Sequence, residues 1–411
     1  MATKITFYPV GNGDMTLISL GDSTGTNILV DCNIRAAADD PEDSTRDVAN
    51  DLRRRLKTDA KSRPYVDVFL STHPDEDHVR GFQKHFYLGA PGDYGDDEKP
   101  ADEKHIVIQE MWSSPIMFRR ASTDHTLCND ALAFNREAKR RVEFARDQKF
   151  AGIGDGDRIL VLGEDEDGKT DDLRSILVKV DESFDQVNGT QNFLFKARLL
   201  APLPAADDDE AEAMSKNHSS VILNMELADG PSLKTVKNFL VSGDAEVLIW
   251  EKLWEKYENE ADVLAYDILL SPHHCSWHSL SYDSRSENGD DAKVCEAAKS
   301  ALSQIRAGGQ IIASSCPIKD DDCEPPSHAA KLEYELIVKS EKGSFLCVGE
   351  LPTEKDPAPL DFIIEDGSMS RVVQKAALRR RSIVTSGIID AANSNAARNE
   401  AVQKGGNTRY A

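Results

Sequence analysis

The segment His73-Pro74-Asp75-Glu76-Asp77-His78 constrains this chain more than any other, because it crowds cation-binding side chains into one short turn. It follows Tyr65-Val66-Asp67-Val68-Phe69-Leu70-Ser71-Thr72, whose β-branched and aromatic residues predict a strand. It precedes Val79-Arg80-Gly81-Phe82, which reads as a helix entry. Ligands in a turn between strand and helix project from a sheet end, which calls for a layered α/β fold. In the spacing His-x-Asp-x-Asp-His, His73 and Asp75 can face one cation while Asp77 and His78 reach a neighbouring one. A solvated acidic turn is the alternative reading of the same residues. Later segments that bring more histidine and aspartate to strand ends weigh against it.

The 411 residues give room for one large α/β domain or two smaller ones. With 40% hydrophobic and 29% charged residues the composition is that of a soluble globular protein. No stretch has the length and apolarity of a membrane span, and Met1 to Tyr8 reads as a first strand, not a secretory signal. Seven cysteines without regular spacing fit a reducing compartment. A cytoplasmic protein with no membrane contact is expected. The net charge of −23 excludes nucleic-acid binding through a general basic surface. A polyanion would have to be held by metals or by a local basic patch. Arg136-Glu137-Ala138-Lys139-Arg140-Arg141, in a helical pattern, and Arg379-Arg380-Arg381 are the two runs that offer one.

Along the chain, strands are expected at Ile5 to Tyr8, Met15 to Leu20 and Thr26 to Val30, the last ending at Asp31. Further strands are expected at Arg158 to Leu162, Phe193 to Leu200, Ser220 to Met225, Asn238 to Ser242, Ile268 to Leu270 and Gln310 to Ser314. Helices are expected at about 45–57, 127–149, 245–257 and 292–304. One domain is expected over 1–355, with an insertion at about 83–155. A C-terminal extension would cover 356–411, its tail disordered from about 393. Trp250 and Trp254, at i and i+4, suggest core packing, and Trp277 is the aromatic residue placed to stack on a base.

The remaining ligands come from later strand ends. Asp244 follows the strand that closes at Ser242, after a glycine that permits close backbone approach. His273 and His274 follow the strand ending at Leu270, and His328 lies beyond the strand Gln310 to Ser314. Adjacent divalent cations commonly share a bridging carboxylate and take histidines from several strands.

The run Tyr8-Pro9-Val10-Gly11-Asn12-Gly13-Asp14-Met15-Thr16-Leu17-Ile18, followed by Ile28-Leu29-Val30-Asp31, resembles the opening of the metallo-β-lactamase-fold domain of the competence DNA-uptake channel family (ComEC type). The cluster at His73, Asn217-x-x-Ser220-x-Ile222-Leu223, Ser242-Gly243-Asp244-Ala245-Glu246 and Pro272-His273-His274 occur in that family's order, and Ser327-His328 fits its final histidine motif. The likeness covers about residues 4 to 350 and is more distant to the phosphorylcholine esterases. It implies an αββα sandwich of two mixed sheets flanked by helices, with two divalent metal ions (Mn²⁺ or Zn²⁺) at one edge. By motif, His73 and Asp75 would bind the first metal, completed by His274 or its neighbour His273. Asp77, His78 and His328 would bind the second, Asp244 would bridge, and Asp31 would orient a ligand histidine. Asp75 stands where most members of the superfamily have histidine, which shifts preference toward Mn²⁺. Cys275 replaces the familiar glycine after the histidine pair.

The chemistry implied is hydrolysis by an activated water, with no covalent serine or cysteine. Asp77 or Asp244 would hold that water, and His273 would donate a proton to the leaving group. A phosphodiesterase or nuclease acting on DNA or RNA is the leading expectation, with a protein partner presenting or gating the substrate. A small-molecule phosphoester or thioester hydrolase and a catalytically silent interaction protein are the alternatives.

Overall fold

The computed structural model describes residues 2–40, 42–118, 127–165, 168–203, 216–230, 236–321 and 323–372. All belong to a compact unit, Met1–Val373; Gln374–Ala411, with Arg379 to Arg381 and the expected tail, lie outside the described residues.

The strands alternate between two apolar environments. In Asn27–Val30, Ile28 and Val30 enter one buried cluster while Leu29 enters another. In Val236–Val241, Phe239 and Val241 share the first cluster while Leu240 enters a third. Ile268 and Leu270 against Leu269 repeat this pattern. Side chains alternate across a strand, so sheets apolar on both faces must be covered twice. The two sheets cover each other inside, and helices cover them outside. The result is the αββα sandwich.

The first sheet runs in the order Ser368–Val372, Leu360–Glu365, Thr3–Phe7, Thr16–Ser19, Asn27–Val30, Pro64–Ser71, Val107–Ser113, Arg158–Leu162, Leu177–Val178. The second runs Ser183–Phe184, Phe195–Ala201, Ile222–Ala228, Val236–Val241, Tyr266–Leu270, Ile305–Ala313, Ser344–Cys347. Asn27–Val30 and Pro64–Ser71 are parallel, as are Val236–Val241, Tyr266–Leu270 and Ile305–Ala313. Parallel neighbours end on the same side, so within each sheet the loops after these strands gather at one edge. Helix Asn129–Asp147 packs Phe134, Ala138 and Val142 with Phe69 and Met111 on the first sheet. Trp250, Leu253, Leu302 and Tyr334 cover the second, with Trp254 packed against that cluster.

The structure draws three boundaries differently. Strand Val107–Ser113 lies within the expected insertion at 83–155, yet it sits in the first sheet between Pro64–Ser71 and Arg158–Leu162. Gln109 and Glu110 interrupt its apolar run; Glu110 is nevertheless buried, accepting from Trp112 Nε1 (3.1 Å) and Asn188 N (2.7 Å). The expected domain end at 355 falls inside the compact unit, because Leu360–Glu365 pairs antiparallel with Thr3–Phe7. That pairing joins opposite ends of the chain, which no local pattern announces. The helix expected over 45–57 is confined to Val48–Arg53, capped by the Asp47 side chain on Asn50 N.

Candidate metal centre

The backbone brings the ligand turns together through two tight features. Thr72, just past strand Pro64–Ser71, donates its N–H to Asp31 Oδ1 (2.8 Å) and its hydroxyl to Asp31 Oδ2 (2.6 Å). Its carbonyl accepts from Val221 N (2.9 Å), tying the two sheets at the site. Gly243 has φ +49°, and a Cβ there would lie 2.8 Å from Thr72 Oγ1. Only glycine brings Asp244 so close to the His73 turn. On the facing loop His273, His274 and Cys275 all have positive φ (+50°, +53° and +71°). Three left-handed non-glycine residues in succession cost about 1 kcal/mol or more each, a strain that concentrates at functional sites.

Asp244 is the centre of the arrangement. Its Oδ1 lies 2.9 Å from His78 Nε2 and 3.5 Å from His274 Nε2. Its Oδ2 lies 3.7 Å from His73 Nε2 and 3.6 Å from His273 Nε2. Asp75 Oδ2 is 3.6 Å from His73 Nε2, and Asp77 Oδ2 is 3.2 Å from His274 Nε2. One carboxylate thus faces two groups: His73, Asp75 and His273 on one side, Asp77, His78 and His274 on the other. The two adjacent histidines divide between the groups. Of the two histidines that the resemblance offers to the His73 and Asp75 group, His273 stands there and His274 stands with Asp77 and His78, because the left-handed turn at 273–275 sends consecutive imidazoles apart.

The donor set fits divalent cations. His73 Nε2, His78 Nε2 and Asp244 Oδ1 are buried without a hydrogen-bond partner, an arrangement that is costly unless a cation takes the lone pairs. Burial alone would lower the His274 imidazole, but Asp244, Asp14 and Asp77 outweigh it and push it up to about 10. Burial would raise the Asp244 carboxyl, yet the surrounding histidines, His78 foremost, hold it well below the usual range. The pocket is a strongly negative hole that seeks positive charge.

Asp31 holds His78 from behind, its Oδ2 2.9 Å from Nδ1. Asp14, which lies between the strands Thr3–Phe7 and Thr16–Ser19, is also here: one oxygen or nitrogen from each of Asp14, His78, Asp244 and His274 lies within 4.8 Å of the others. Its sequence signals are its place directly after Gly13, before a strand, and its membership of the run Tyr8 to Ile18.

Other expected residues lie elsewhere. His328, at the start of helix His328–Ser340, is 31% exposed and pairs with Asp320 (3.3 Å), lining a cavity of about 550 Å³ with His278 and Arg285. It does not join the second group, because a long loop follows its strand and places it in the first turn of a helix capped by Ser327. Trp277 is buried, donates to Asp283 O (2.9 Å) and carries Arg285 over its ring, so it offers no face for stacking. In the basic run, Arg140 pairs with Glu137 and Asp157, and buried Arg141 binds Glu137 and the carbonyl of Ile108. Cys275 is buried, and burial pushes its thiol well up, so it is no nucleophile.

No family model and no curated sequence matches this chain. Among solved structures it is similar to the metallo-β-lactamase MIM-1 from Novosphingobium pentaromativorans, at 12% identity over 73% of this chain and 86% of that one, with a TM-score of 0.27. It is also similar to the isothiocyanate hydrolase from Delia radicum gut bacteria, at 11% identity over 88% and 99%, with a TM-score of 0.36. Among the described residues no helix is long and apolar enough to cross a membrane.

Proposed function

We propose that the protein is a binuclear metal-dependent hydrolase. The observation that carries this reading is Asp244, whose two oxygens face separate His/Asp groups as a bridging ligand must. His73 and Asp75 would hold one cation and Asp77, His78 and His274 the other. The oxygen-rich first group suits Mn²⁺ at least as well as Zn²⁺. Two divalent cations bound there supply Lewis acidity and a nucleophilic water near neutral pH. The chain's own groups do the rest. Asp31 fixes the ring of His78, and Asp77, on the open side, orients the attacking water. His273, 18% exposed, with Nε2 3.6 Å from Asp244 Oδ2 and Nδ1 3.8 Å from Glu246, gives its proton to the leaving group.

The resemblance to the DNA-uptake family makes phosphodiesters the first substrate class to test. A second reading, a small-molecule phosphoester or thioester hydrolase, draws support from the acidic chain and from Arg140 and Arg141, which are spent on internal ion pairs. Ligands that converge this closely speak against a silent interaction protein. The deciding experiment is a panel of single- and double-stranded DNA, RNA, cyclic dinucleotides and small phosphoesters and thioesters with Mn²⁺, Mg²⁺ and Zn²⁺, with Asp77→Ala as control. Cleavage lost in the variant supports the reading; equal cleavage by both proteins on every substrate refutes it.

A further inference from the structure

We propose that Asp14 is a positioning residue that pre-forms the second cation subsite by holding His274 from behind. The inference rests on the metal-dependent reading and adds to it a residue outside the ligand set. Asp14 is buried, with Oδ1 3.4 Å from His274 Nδ1 and Oδ2 3.9 Å from His78 Nδ1. Both imidazoles turn their other nitrogen, Nε2, toward Asp244 Oδ1. His78 already has Asp31 at 2.9 Å on Nδ1. Among the described residues the carboxylate facing His274 Nδ1 is that of Asp14; Asp14 Oδ1 and His274 Nδ1 are both buried and make no hydrogen bond, so the 3.4 Å approach is the contact each has to offer the other. An Nδ1–H held by a carboxylate leaves Nε2 bare and fixes the plane of the ring, the two conditions for ligation.

The same four side chains could be read as a single ligand set that includes Asp14. Against that reading, Asp14 approaches both rings on the Nδ1 side, whereas both Nε2 atoms face Asp244 Oδ1 and His78 Nδ1 is 2.9 Å from Asp31. Asp14 is also placed by the fold, independently of any cation. Its N–H donates to Asp77 O (3.2 Å), which links it to the ligand helix. Ser314 Oγ donates to Gly13 O (2.7 Å), and Asn33 Nδ2 donates to Asn12 O (3.0 Å). A Cβ on Gly13, at φ +144°, would lie 1.9 Å from Asn33 Nδ2. The loop is clamped from both sheets, so the carboxylate waits in position. That is what a residue acting through His274 needs.

The test compares full-length wild type, Asp14→Ala, Asp14→Asn and His274→Ala for metal content, for Mn²⁺ and Zn²⁺ affinity by chelator competition, and for the visible spectrum of the Co²⁺-loaded protein. Asp14→Ala should bind two cations with the second weakened about ten- to a hundredfold and the Co²⁺ coordination number unchanged. Asp14→Asn, which keeps an accepting oxygen and the side-chain shape, should recover part of that loss and separates it from misfolding. Wild-type affinities in Asp14→Ala would overturn the proposal. Loss of one cation with a changed Co²⁺ spectrum, as in His274→Ala, would make Asp14 a ligand and overturn it too. A wild type that binds no divalent cation would instead refute the metal-dependent reading itself.

Discussion

Asp31 Oδ2 stands 2.9 Å from His78 Nδ1, and neither side chain touches solvent. The same carboxylate accepts from the N–H and from the hydroxyl of Thr72, so one residue braces the ligand ring and the strand end that carries it. Removing it should therefore cost both metal affinity and stability. Asp31→Ala is expected to weaken cation binding about ten- to a hundredfold. It should also lower the melting temperature of the metal-free protein, because the buried Thr72 N–H loses its acceptor. Chelator competition and thermal melts with and without metal read the two effects separately.

Among the described residues Asp244 alone is shared by both ligand groups, so its substitution should differ from that of any single ligand. Asp77→Ala is expected to retain one cation held by His73, Asp75 and Asp244. Asp244→Asn should weaken both, with the catalytic rate reduced at least about a hundredfold. Elemental analysis after gel filtration distinguishes the outcomes; full occupancy in Asp244→Asn would remove the bridging role.

His328 faces Asp320 in a separate cavity. His328→Ala should leave metal content and catalytic rate within about twofold of wild type, whereas His274→Ala should lose the second cation. Loss of metal in the His328 variant would restore that residue to the ligand set.

The parts of this site legible in the sequence are those coded by short contiguous spacing. His73, Asp75, Asp77 and His78 lie in one turn, and Asp244, His273 and His274 directly follow apolar strands, so local pattern places them. Asp31 was legible for the same reason. His328 was misplaced because the loop before it is long, and loop paths depend on contacts such as Asn12 with Pro325 O that no local pattern records. Asp14 was missed because its partner, His274, lies on the other sheet. The division of His273 from His274 depends on a left-handed turn of non-glycine residues, which propensity argues against. At the level of the fold, continuous apolar runs rich in β-branched and aromatic residues mark strands that are buried on both faces. That signal is interrupted at Val107–Ser113 by buried Glu110, and it says nothing of Leu360–Glu365, whose partner lies at the far end of the chain.

The carboxylates of Asp14, Asp31, Asp75 and Asp244 are all buried around one point, and like charges this close repel in the absence of a cation. Chelator treatment should therefore lower the melting temperature, and Mn²⁺ or Zn²⁺ should restore it in a concentration-dependent way. At a hundredfold excess over the dissociation constant the stabilisation would be about 3 kcal/mol per independent site. Calorimetry over a metal titration checks this; a melting temperature indifferent to chelator and metal would mean that no cation binds the folded state.

Glu110 gives a pH dependence far from the metal centre. Burial pushes its carboxyl up to about 7, although Trp112 Nε1 and Asn188 N donate to it. The folded state thus binds this proton more tightly than the unfolded chain, whose glutamate titrates near about 4.3. The group favours folding fully below that range, and its contribution is lost as pH rises toward 7. Glu110→Gln keeps an accepting oxygen for both donors but has no charge to bury. Relative to wild type the variant should gain stability between about pH 5 and pH 8, by up to about 4 kcal/mol at about 1.4 kcal/mol per pKa unit. Denaturant unfolding of metal-loaded protein at several pH values measures the difference; a constant gap between variant and wild type would mean that Glu110 titrates at its ordinary value.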